Sequence, residues 1–151
     1  MNSLGEWGTS DVDVITDLGD APEVVDDPAP NAPPPLYYGS VDEFVREVIV
    51  PVFGRDVGEK GRAELRWSAR WWESSEAIMR LEALWRSWEH LRLDPATGMS
   101  VWLRDHLDHH LGALMSPIGP FAASTDTARA GDPLPYTAPP PALFPDVRTT
   151  D

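Results

Sequence analysis

Apolar residues recur at helical spacing in three stretches of this chain, and Gly- or Pro-containing breaks separate them. In the first, Val41, Phe44, Val45, Val48, Ile49 and Val52 fall on one helical face. Ser40 precedes them as an N-cap, acids occupy the first turn, and Pro51 should bend or end the helix in its last turn. The second and clearest helix is capped by Ser74 or Ser75 and reaches about Arg92. Ala77, Ile78, Leu81, Leu84, Trp85, Trp88 and Leu91 share its broad apolar face, and Arg80, Glu82, Arg86, Ser87, Glu89 and His90 cover the other. LDPATG then reads as a turn, and a third helix runs from a Ser100 cap to about Met115, where Pro117 stops it.

Between the first two helices, RAELRWSARWW has no decisive period. As a helix it would align Arg62, Arg66 and Arg70 in a stripe; as an extended arm it would pack its tryptophans on the helices. A short, irregular element is the favoured reading. The pattern therefore predicts a mainly α fold, a small three-to-four-helix domain over residues 40–124 with an irregular Trp-rich segment. Residues 1–39, ending in a proline run, predict a disordered acidic arm with a stiff polyproline spacer. Residues 125–151 carry Pro133, Pro135, Pro139, Pro140, Pro141 and Pro145 and predict a second disordered tail.

Charge sharpens this division. The net charge is −13, yet the first forty residues hold eight acids and neither Lys nor Arg. Such an excess argues against broad, sequence-independent DNA binding, although a local basic patch would survive it. The chain has no cysteine, which excludes disulfides, thiolate nucleophiles and Cys-based metal sites. With no basic, apolar leader and no apolar run of membrane length, the expectation is a cytoplasmic protein without membrane contact.

Two constellations could carry chemistry. His106 and His110 are spaced one helical turn apart on the apolar flank of the third helix, a spacing that suits a metal ion. Two imidazoles are too few for a closed zinc site, so satisfied core histidines are the simpler expectation. The second constellation interleaves Arg62, Arg66 and Arg70 with Trp67, Trp71 and Trp72. That mixture can stack bases and neutralise phosphates, but it is also what a small domain shows when arginines lie over core indoles. Six of the seven tryptophans lie between Trp67 and Trp102, and a domain of this size needs them for its core. No phosphate loop, nucleophile elbow or paired-carboxylate signature is visible, and a non-enzymatic protein is expected.

The motifs VREVIVPVFGR, WSARWW, EAIMRLEALWRSWEHLR, GMSVWLRDHLDHHL and GPF, in this order, resemble an uncharacterised family, domain-of-unknown-function family 4913. The likeness covers Tyr38 to Phe121 and implies a genomic setting in actinobacteria, plasmids, conjugative elements and phages. It also implies cysteines, in many members, at the positions of Ser68 and Ser124. With the histidines matching His106 and His110, those would form a Cys₂His₂ zinc set. Both positions are serine here, so the resemblance implies zinc in relatives and a degenerate site, with no cofactor, in this chain.

The functional expectation is an accessory or adaptor protein of a mobile element, acting on a protein partner through contacts made by its tails. A nucleic-acid-associated factor using the Arg/Trp segment is the second reading, and an acidic DNA mimic the third.

Overall fold

A computed structural model describes residues 31–58 and 64–149, together with Gly19 and Pro22. The chain divides into two units, Met1–Pro33 and Pro34–Asp151. The first, with most of the expected acidic arm, lies almost wholly outside the described residues. The second is helical and has no strand among the described residues.

Helix α1 (41–52) starts where Ser40, in extended backbone, accepts the Glu43 N–H on its Oγ at 3.1 Å. Glu43 reaches back to the Gly39 N–H at 2.9 Å, so two donors at the helix start are satisfied reciprocally. Its middle, Val45–Ile49, is π-helical, and the Val50 N–H bonds the Val45 carbonyl five residues back. Helix α2 is Ser75–Leu91, with Ser74 as the N-cap accepting from Ala77 N at 3.2 Å. Helix α3 (98–114) is α-helical over Gly98–Val101, π-helical over Trp102–Leu107 and α-helical again over Asp108–Leu114.

α3 begins two residues before the Ser100 cap that periodicity suggests. Asp94 explains the shift: its carboxylate accepts from Ala96 N at 3.0 Å and from the Thr97 hydroxyl at 2.8 Å, which closes the turn early. Gly98 then lies directly against α2, where a Cβ would collide with the carbonyl oxygen of Leu91. α2 and α3 pair antiparallel from this point, with Trp102 Nε1 donating to the Leu84 carbonyl at 3.0 Å.

The π turns change which residues face inward. Regular helical spacing puts Val52 and Leu103 on the apolar faces, yet they are 63% and 39% exposed. Burial instead extends to Val50, beside Ile49, in the first helix and passes from Trp102 to Leu107 in the third. A π turn holds more residues than an α turn, so the face is carried one position onward.

The Trp-rich segment is irregular, as its lack of period suggests. Leu65 forms an isolated bridge with Val57, Arg66 N bonds the Met115 carbonyl at 2.9 Å, and Trp71–Glu73 form a single 3₁₀ turn. Trp67, Trp71, Trp85 and Trp102 all lie in the core with Phe44, Ile49, Leu81, Leu84 and Leu114.

Two boundaries need correction. Leu36 and Tyr38, assigned to the arm, pack on the core, and Tyr38 N donates to Glu89 at 2.8 Å. Residues 125–149, expected as a tail outside the domain, are docked along it. Leu134 is 2% exposed, its N–H bonds the Val50 carbonyl at 3.0 Å, and Tyr136 and Phe144 pack against the core. The prolines that stop this segment from folding alone do not stop it from docking. Its carbonyls accept hydrogen bonds from the domain, and Pro keeps that carbonyl.

Candidate functional site

The Arg/Trp constellation is turned inward. Trp67 and Trp71 are fully buried, and Trp67 Nε1 donates to the Pro135 carbonyl at 2.9 Å. Trp72 is half-buried, donates to the Thr137 carbonyl at 3.1 Å, and carries the Arg70 guanidinium 5.2 Å above its ring. Arg70 also pairs with Glu73 at 2.7 Å, and Arg66 donates to the Ser124 carbonyl at 3.3 Å. Arg62 lies outside the described residues. These indoles form core and intramolecular contacts here, not an open stacking platform for bases.

Ser68 and Ser124 come together. Both line a cleft of about 300 Å³ with Arg70, Glu73, Ser74, Pro120, Phe121 and Ala123. Ser124 Oγ donates to the Trp67 carbonyl at 2.7 Å and accepts from Asp126 N, and Ser68 Oγ accepts from Arg70 N at 3.2 Å. Asp126 in turn accepts from Ala69 N at 2.8 Å. The hydroxyls therefore serve as local ties between the Trp-rich segment and the start of the C-terminal segment.

His106 and His110 do not line that cleft. Both are half-buried on α3, while His109 is exposed. His110 Nδ1 lies 3.1 Å from Arg80 Nη1, and Glu76 holds the same guanidinium at 3.0 Å. An arginine only donates, so Nδ1 is the acceptor and the ring is neutral with its proton on Nε2. Burial, then the Arg80 cation and the neighbouring His109 and His106, lower the His110 pKa below the usual histidine value. A dication beside this pair would face the guanidinium, and the chain has no thiolate to complete a ligand set. These residues do not fit a zinc site. Among the described residues, no group of three or more His, Cys, Asp or Glu side chains is placed to hold a metal ion.

Sequence reasoning missed Glu89, which it put on the outer face of α2. It is the one buried charged residue among those described, 6% exposed. Its carboxylate accepts from Tyr37 N at 3.0 Å, Tyr38 N at 2.8 Å, Trp85 Nε1 at 3.3 Å and Arg92 Nε at 2.9 Å. Burial alone would raise its pKa, but these donors outweigh it and the net shift is downward. The signal was present in the spacing: Ala77, Leu81, Trp85 and Glu89 follow one another at four-residue steps. The arrangement clamps the chain as it enters α1 and offers no reacting group to a substrate.

No helix among the described residues is long and apolar enough to cross a membrane. Neither the curated proteins nor the solved structures include a match to this chain. The model of one protein family does match, over residues 38–141, which is more than half of the chain and extends past the motifs into the docked C-terminal segment. The chain belongs to that family, Domain of unknown function (DUF4913).

Proposed function

We propose that this chain is a non-enzymatic, cytoplasmic adaptor of an actinobacterial mobile element that acts through contacts with a protein partner. One observation carries the reading: eight acids and no base in the first forty residues, joined to a domain whose aromatic residues are largely committed to its own core. A polyanionic segment of this composition attracts a basic protein surface and repels nucleic acid. Because residues 125–149 dock on the domain, the adaptor role rests on the acidic arm alone.

The test compares the full chain with a variant whose eight arm acids are replaced by Asn or Gln, each used to capture proteins from an actinobacterial host extract. A basic protein retained by the first, lost with the second and released by salt supports the reading. Equal capture by both variants overturns it. A salt-dependent mobility shift of DNA or RNA by the full chain would favour the nucleic-acid reading instead.

A further inference from the structure

The docked C-terminal segment shows what the face beneath it recognises. Between Leu134 and Thr137 the chain has neither helix nor strand. Two alternate carbonyls, of Pro135 and Thr137, accept indole N–H bonds from Trp67 at 2.9 Å and Trp72 at 3.1 Å. The Thr137 N–H is bonded to the Ala69 carbonyl at 3.0 Å. Leu134 is buried, the Tyr136 hydroxyl donates to Asp42 at 2.6 Å, and farther along Phe144 stacks on Trp71 with centroids 5.4 Å apart. Indole donors aimed at alternate carbonyls of a proline-rich segment, with side-chain seats between them, are the physical basis of proline-rich peptide recognition. Tryptophan presents such donors at low conformational cost, and proline pre-extends the ligand.

The resident segment is an imperfect occupant. Trp71 is fully buried, yet its Nε1 has no acceptor among the described residues. A buried donor without an acceptor is costly, and the resident segment leaves this one unpaired.

We propose that the face built from Asp42, Trp67, Ala69, Trp71 and Trp72 is a binding groove for an extended proline-rich segment of a partner protein. The chain's own residues 134–144 occupy it in cis, and the partner binds by displacing them. This groove is separate from the acidic arm, and its test touches no residue of that arm, so either idea can fail without the other.

The probe is a fluorescein-labelled peptide with the sequence of residues 131–146, titrated with full-length protein and followed by anisotropy. Wild-type protein should bind weakly, because the resident segment keeps most grooves closed. Two variants loosen that segment: Leu134→Ala removes its buried anchor and Arg148→Ala frees its far end. Each should bind the peptide about tenfold more tightly as the open fraction rises. A peptide with alanine at the position of Leu134, which leaves the protein and its resident segment unchanged, should bind each loosened variant at least about tenfold more weakly. Near-UV circular dichroism establishes that each variant is folded. If both loosened variants are folded and neither binds, the proposal is overturned. Binding indifferent to that change in the peptide would place it elsewhere and also overturn the proposal. A loosened variant that dimerises without binding peptide would make a second copy the occupant, again against the proposal.

Discussion

Arg148 and Tyr37 lie 111 residues apart, yet Arg148 Nη1 donates to the Tyr37 carbonyl at 2.6 Å. The same guanidinium reaches Glu43 at 3.1 Å, and Val147 N bonds the Gly39 carbonyl at 2.9 Å. On the amide side of the same residue, Tyr37 N donates to the Glu89 carboxylate at 3.0 Å. The chain entering α1 is thus gripped by α2 and by the C-terminal segment at once. Both ends of the folded unit meet there, and an isolated helical bundle would have neither contact.

Glu89 should be the most sensitive polar position in the domain. Replacing it with Ala leaves two backbone N–H groups, an indole and Arg92 without their acceptor, at a cost of about 3 kcal/mol. Glu89→Gln keeps the shape and one acceptor oxygen and should cost less. Urea denaturation checks both, and a Glu89→Ala midpoint equal to wild type would show that the clamp adds nothing. The pKa of Glu89 is depressed in the folded state, so its contribution is complete above the ordinary glutamate pKa. It should be lost as pH falls through the depressed value.

A second pH dependence should come from His110. Its folded-state pKa is lowered, so the folded protein favours the neutral ring. The associated stability is present above the ordinary histidine pKa and declines as pH falls through the folded value. Protonation would place an imidazolium 3.1 Å from Arg80 and convert a hydrogen bond into a repulsion. Melting midpoints should fall between about pH 7.5 and pH 5, and His110→Gln should flatten that slope. An equal slope in the variant would assign the effect to other groups.

The helices were legible because three independent signals agreed at α2: a serine cap, an apolar stripe and a Pro/Gly-marked end. Where the chain departs from the regular helical period, the signal failed. The π turns in α1 and α3 moved Val50 inward and Val52 and Leu103 outward, and nothing in a regular wheel encodes that step. The docking of residues 125–149 was illegible for another reason. Its apolar anchors, Leu134, Tyr136 and Phe144, are spaced irregularly among prolines, and their partners Val50, Asp42 and Trp71 are remote in sequence. Of the site candidates, the resemblance implied one set of Ser68, Ser124, His106 and His110; the two serines share a cleft that the histidines do not line, and the Arg80 contact of His110 had no sequence signature.

Purified, untagged protein should carry far less than one zinc per chain, and a chelator should leave its melting curve unchanged. Serine hydroxyls at 68 and 124 are poor zinc ligands, and the guanidinium beside His110 opposes a dication. Elemental analysis decides this. Stoichiometric zinc that disappears on replacing His106 or His110 would mean that other oxygen ligands complete a site with them.

The C-terminal segment, while docked, should contribute to the stability of the domain. A chain ending at residue 124 loses the buried Leu134, worth about 2 kcal/mol, and the acceptors of two indole N–H groups, worth about 1 kcal/mol each. A domain holds roughly 5–15 kcal/mol in total, so the shortened protein should melt far lower or fail to fold. In the intact chain, the bond after Tyr136 should resist chymotrypsin under native conditions, because cleavage needs the docked backbone to lift away. Leu134→Ala should raise the cleavage rate after Tyr136 while α2 stays uncut, because it loosens the segment without opening the helices. Rapid native cleavage after Tyr136 in the wild-type chain, with a melting midpoint shared by the shortened form, would show that residues 125–149 contribute nothing to the fold.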